Sequence, residues 1–250
     1  MASAALSHLT QLLDSKQLAG TLTRPLEAGR PCIGTGVPVL DEQLAGGWPK
    51  GHLSEVTGPA SSGRTSVVMA TMAKVTQQGG VVALVDAADR FDPASAAAAG
   101  VDLDRLLWVR GPNVSWSPTL RTVGDLAVQR GLRAFDLIVR AGGFAVVAMD
   151  VTDVPVRHLR TLPAATWFRL GHVLEGRDTV GLLMGAQPLG RSPGGVSLTL
   201  RARSEWTGRS AQSRRLSGLA VTPEASQRIR RVRAPRKEDT PCLFALSATL

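Results

Sequence analysis

Short apolar runs that stop at a polar residue alternate along this chain with segments of helical period. Val81-Val-Ala-Leu-Val85 runs into Asp86, Phe144-Ala-Val-Val-Ala-Met149 into Asp150, and Thr179-Val-Gly-Leu-Leu-Met-Gly185 into Ala186-Gln187. Runs this long without an internal charge suit strands of a parallel sheet buried on both faces. His52–Thr57 and Leu106–Arg110 read as two further strands. Helices are predicted over Arg64–Gln77, closed by Gly79-Gly80, over Ser117–Gly131 and over Leu162–Leu174. A short helix is expected over 3–18, where Leu6, Leu9, Leu12 and Leu13 recur at helical spacing, followed by a Pro/Gly linker through Arg24-Pro25 and Gly29-Arg30-Pro31. After Gly194-Gly195 the pattern changes to β-like pieces at 196–202, 216–222, 226–233 and 241–247, which would make antiparallel edge strands. The alternation predicts an α/β fold with a mostly parallel central sheet, an N-terminal helix and a C-terminal antiparallel β extension. The expected organisation is helix and linker over 1–33, core over 34–205 and extension over 206–250. No internal repeat is visible.

One segment carries candidate chemistry. Gly58-Pro-Ala-Ser-Ser-Gly63-Arg64-Thr65 has the spacing of a phosphate-binding loop, G-x-x-x-x-G-K-[ST], with arginine in place of the lysine. In such a loop the glycines let the backbone curl so that N–H groups point inward. The next helix adds its positive N-terminus, and a compact ammonium reaches the terminal phosphates. An ordinary strand–turn–helix shares the Gly and Ser content. The placement between a predicted strand and a predicted helix favours the phosphate loop. Gly58, Ser61, Ser62, Gly63, Arg64 and Thr65 are therefore candidate nucleotide or anion contacts. Asp150, at the end of an apolar strand, stands where a carboxylate would hold Mg²⁺ through water, or it simply caps the strand end.

Composition narrows the classes. No apolar run reaches the roughly 18 residues that cross a bilayer, and the N-terminus lacks the basic start and apolar stretch of a signal peptide. The expectation is a cytoplasmic protein without membrane contact. Cys32 and Cys242 are far apart, and His8, His52, His158 and His172 lack ligand spacing, so neither a disulfide scaffold nor a metal site is expected. The formal charge is +9, and 25 of the 29 basic residues are arginine. Eleven basic residues lie between Arg201 and Lys237, against Glu205 and Glu224. Such a segment suits a polyanion or an acidic partner, or is a solvated basic face. Arg228, Arg230, Arg231 and Arg233 alternate with Ile229 and Val232 as on a strand with one charged face.

Several motifs together resemble the RecA recombinase family. They are the Gly loop, Val85-Asp-Ala-Ala-Asp-Arg-Phe-Asp-Pro93, Ala99-Gly-Val-Asp-Leu-Asp-Arg-Leu-Leu107, Asp150 and Gln187 at strand ends, and Gly194-Gly195. The resemblance spans roughly residues 34–205. Within that family, the Arg-Leu-Gly-rich region before Gly176 and the basic tail resemble the ImuA family, the RecA-like members of bacterial SOS mutagenesis cassettes, more than RecA. Those cassettes also carry ImuB, a Y-family polymerase homologue, and an error-prone replicative-type polymerase.

Four departures from the RecA pattern bear on what the resemblance implies. Arg64 replaces the loop lysine, and a planar guanidinium does not substitute for an ammonium in a tight loop. Ala88 stands where the family has the glutamate that positions water, and losing a general base costs about 10²–10⁴-fold in rate. Asp89 is one residue off that place. Ser95 takes the position of the tyrosine on which the family stacks adenine, in a chain without tyrosine. Only Pro188-Leu-Gly-Arg-Ser-Pro193 separates Gln187 from Gly194, too short for the family's mobile DNA loop, although Arg191 could touch a phosphate.

These departures lead to the expectation of a non-catalytic RecA-like accessory protein of translesion mutagenesis, with no firmly bound ATP or Mg²⁺. It would bind RecA through Leu9, Leu12 and Leu13 and ImuB through the C-terminal region. The error-prone polymerase would be engaged indirectly, with association to the nucleoid on DNA damage. The N-terminal helix could equally fold onto its own domain. Two other readings stay open: a DNA-dependent ATPase that remodels DNA or RecA filaments, and a non-specific DNA-binding module.

Overall fold

The computed structural model describes residues 11, 30–112, 121–189, 194–208, 210, 212–225 and 242–245. Leu9, Leu12, Leu13, Arg191, Arg228, Arg230, Arg231, Arg233 and the predicted strand 226–233 lie outside the described residues.

The strands are β1 (Cys32–Ile33), β2 (Trp48–Pro49), β3 (Leu53–Thr57), β4 (Val82–Asp86), β5 (Leu106–Arg110), β6 (Val146–Asp150), β7 (Val180–Gly185), β8 (Ser197–Thr207), β9 (Arg215–Ala225) and β10 (Cys242–Ala245). The helices are α1 (Pro38–Gln43), α2 (Arg64–Gln77), α3 (Pro93–Ala98), α4 (Arg121–Ala141), α5 (Val156–Arg160) and α6 (Ala164–Leu174). β1 and β2 form a small antiparallel pair, and the other eight strands make one sheet in the order β10-β9-β8-β3-β7-β6-β4-β5. From β8 to β5 every neighbouring pair is parallel, and β9 and β10 add on antiparallel. This is the mostly parallel α/β sheet with an antiparallel extension that the pattern predicts.

Alternation along the strands builds two cores. Val82 and Leu84 of β4, Val146 and Ala148 of β6, and Leu182 and Met184 of β7 pack with Val67, Val68 and Met72 of α2 on one face. Ala83 and Val85, Val147 and Met149, and Leu183 pack with Val128, Phe135 and Val139 of α4 and Trp167 and Leu174 of α6 on the other. With both faces covered, β4 and β7 are buried throughout, which explains their unbroken apolar runs.

The expected helix ending at Gly131 continues to Ala141. A central glycine costs a helix about 1 kcal/mol. Here a Cβ would come within 2.9 Å of Met149 Cε, so Gly131 lets α4 lie close against β6. Val128, Leu132, Phe135 and Val139 keep one helical face apolar across it. The short helices α1, α3 and α5 are additions to the predicted elements. The first two begin with a proline, Pro38 and Pro93, in the first turn.

Two substitutions on the part of α4 beyond Gly131 test this register. Phe135, 1% exposed, should lose about 3–5 kcal/mol on replacement by alanine. Leu137, 57% exposed, should change by no more than about 0.5 kcal/mol. Equal costs in denaturant titrations would mean the register is wrong.

Candidate functional site

The Gly loop joins β3 to α2, at the C-terminal edge of the sheet where open α/β sheets place their ligands. Gly58 has φ +152°, and a Cβ there would meet Leu200 O at 2.3 Å and Ser62 Oγ at 2.7 Å. Only glycine lets β8 pass so near the loop. Ser61 sits in the left-handed region at φ 58°, and Ser62 is buried with its Oγ unpartnered. Thr65 is exposed on the first turn of α2, where backbone N–H groups lack intrahelical acceptors.

Arg64 does not extend away from the loop. Its side chain folds back, and the residue is only 7% exposed. Nη1 donates to Gly58 O, at the start of the loop, and to Gly185 O at 2.9 Å, at the end of β7. Burial pushes the guanidinium below its ordinary pKa, opposed by the negative fields of Asp150 and Asp153. The side chain thus fastens the loop to a neighbouring strand through two carbonyls.

Asp150 ends β6 in register with Asp86 at the end of β4. Burial raises the Asp150 carboxyl to about 6. The hydrogen bond from Thr152 N at 2.8 Å pulls the other way, and Asp86 and Asp153 add to the rise. Asp86 is 1% exposed, with Oδ2 accepting from Phe91 N at 2.8 Å and Oδ1 unpartnered. Ala88 is buried at 6% exposure, so the place of the family's glutamate is closed by a methyl group. Asp89 is held by Arg110 through two hydrogen bonds, 2.8 Å and 3.0 Å, which keep its carboxyl below the usual range. It is an ion-pair partner and is poorly suited to act as a base. Asp92 caps α3, and Ser95 N and Oγ both donate to its carboxylate.

Gln187 is exposed, two residues beyond Gly185. The segment after it is anchored by a residue the sequence reading missed. Glu55, buried in β3, accepts from Leu189 N at 3.0 Å and from Ser197 Oγ. A carboxylate in a short strand between Leu53 and Val56 was the available signal. Also missed was an aromatic cluster: Phe91 and Trp108 meet edge to face at 5.2 Å, and Arg110 lies 4.6 Å over the Trp108 ring.

The RecA N-terminal domain profile matches residues 23–153. The chain belongs to the RecA N-terminal domain family. It is 39% identical to Protein RecA of Synechococcus sp. (strain WH7803) over 134 residues, 52% of this chain and 31% of that one. It is 40% identical to Protein RecA of Synechococcus elongatus over 118 residues, 47% and 29% of the two chains. Against Protein RecA of Borrelia hermsii (strain HS1 / DAH) the identity is 32% over 127 residues, 50% and 32%. The chain spans about a third of the length of these relatives. In this RecA-like chain, Arg64 and Glu55 fasten the two sides of the segment that carries Gln187.

Two measurements check the site. Arg64→Met would leave the Gly58 and Gly185 carbonyls without their donor, and should lower stability by about 2–3 kcal/mol in denaturant titrations. Asp150 binds its proton more tightly folded than unfolded. Its contribution is therefore fully present below about pH 4, the unfolded value, and is lost as pH rises through about 6. Asp150→Asn should flatten that part of the stability–pH curve and be more stable than wild type above pH 7 by about 2 kcal/mol. An unchanged curve would remove the assignment.

Proposed function

We propose that this chain is a non-catalytic RecA-like accessory protein of SOS-induced translesion mutagenesis. It binds RecA and the ImuB polymerase homologue and limits RecA filaments by capping an end. One observation carries the non-catalytic part: the basic side chain of the Gly loop is consumed by Gly58 O and Gly185 O. A nucleoside triphosphate needs that side chain as a cation directed at its terminal phosphates. The residues present do not fit ATP with Mg²⁺. Arg64 is spent on carbonyls, Ala88 offers no base, Asp89 is paired with Arg110, and Ser95 is spent on a helix cap. No hydrolytic step is derived through them.

A fold kept without the chemistry suits a scaffold that acts through its surfaces. A RecA-like face on one side and an altered face on the other would let a protomer join a filament end and stop its growth. RecA contact through Leu9, Leu12 and Leu13, and ImuB contact through Arg228, Arg230, Arg231 and Arg233, complete the proposal. The error-prone polymerase would be reached through ImuB.

A DNA-dependent ATPase is the second reading. Asp150 at the end of β6, with its carboxyl raised to about 6, and the intact Gly loop favour it. Calorimetric titration with ATP and Mg²⁺, and phosphate release with and without single-stranded DNA, separate the two. The expected result is no binding heat and no turnover, with RecA and ImuB both captured by the immobilised chain. Turnover abolished by Asp150→Ala would establish the ATPase instead. Salt-sensitive DNA binding without capture of either protein would leave only a DNA-binding module.

A further inference from the structure

β8 and β9 are each 11 residues long, twice the length of the strands they join. β3 pairs with β8 only from Ser197 to Thr199, where β3 ends and the chain turns into the Gly loop. β9 pairs with β8 as far as Thr207. From Arg201 to Thr207 the edge of β8 opposite β9 therefore has no strand beside it among the described residues. The ribbon rises past the Gly loop, since Leu200 O lies against Gly58.

An open strand edge presents alternate N–H and C=O groups and is a template for another chain, so folded proteins blunt such edges with charge. Arg201 and Arg203, both exposed, fit that protective role. Trp206 does not. It is 52% exposed, with the Arg214 guanidinium 5.4 Å over its ring, and it follows a register shift between Glu205 and Trp206. A shift of this kind re-aims a side chain. Tryptophan and arginine are also the residues that most often anchor protein interfaces.

The geometry points to a docking site for an extended acidic protein segment, added as a strand along Arg201–Thr207 with an apolar side chain placed on Trp206. Strand addition supplies backbone hydrogen bonds and alternate side-chain positions for selectivity. The local charge selects the occupant. Arg201, Arg203, Arg214 and Arg215 stand against Glu205 and Glu224 in the described ribbon, and Glu224 already faces Arg201 at 3.6 Å. This inference rests on the reading of the chain as a scaffold and names the surface and chemistry of one partner.

The test uses the full chain and three labelled probes: a peptide of alternating Glu and Val, its Lys–Val counterpart, and oligo(dT). Anisotropy should show binding of the Glu–Val peptide, weakened about tenfold or more by Trp206→Ala, with Trp206→Phe retaining most of it. Hydrogen exchange on the wild-type protein should slow at the amides of 201–207 when that peptide is present. Failure of the acidic peptide to bind overturns the inference, as does equal binding of the two peptides. Protection elsewhere, or a preference for oligo(dT) that depends on Trp206, overturns it too. Capture of RecA and ImuB that is unaffected by Trp206→Ala leaves the scaffold reading standing without this site. Peptide binding without either capture does the reverse.

Discussion

The bridge from Arg64 to Gly58 O and Gly185 O is the interaction around which the C-terminal edge of this sheet is organised. A guanidinium taken out of water is costly, and carbonyl oxygens alone offset that only in part. The fields of Asp150 and Asp153 oppose that cost without cancelling it, and no described contact brings either into direct ion pairing with Arg64. Both bonds come from the one Nη1, which the longer guanidinium side chain carries from the start of α2 to the end of β7. The residue that departs from the phosphate-loop pattern is the one that ties the loop to β7.

That bridge acts together with Glu55. In a nucleotide-responsive P-loop protein, the strand beside the loop must be free to take two positions, one for each state of the ligand. Here Arg64 holds the end of β7 and Glu55 holds Leu189 and Ser197. Gly185 and Leu189, on either side of Gln187, are thus tied to the loop and to β3, and these contacts oppose displacement of the residues between them.

The sheet and its helices were largely legible because buried parallel strands and amphipathic helices write themselves as runs and periods. α2 and β5 fall on their predicted bounds, and β4, β6 and β7 differ from them by one or two residues. Gly131 misled because its local propensity argues for a helix end, while the tight approach to Met149 can be seen only in three dimensions. The position of the Gly loop and of Asp150 was also readable, being fixed by strand ends. The direction of the Arg64 side chain was not, since its acceptor on Gly185 is 121 residues away. Glu55 was hidden for a similar reason. It accepts from Leu189 and Ser197, and a lone acidic residue in a strand does not announce what it will bond to.

The same geometry separates two kinds of departure from the RecA pattern. Ala88 and Ser95 are losses, in which a functional group is absent and its space or backbone is put to ordinary structural use. Arg64 is different, because it makes new bonds that a lysine of the family pattern would not make in that form. Loss alone is what relaxed constraint produces, and it leaves the remaining scaffold no firmer. A gained bridge that stabilises the loop without a ligand requires that the loop's shape still matter. In this chain that shape supports Gly58, against which β8 runs before it rises into the ribbon that ends at Trp206. The Gly loop is then a foundation for β8, held in shape by its own arginine.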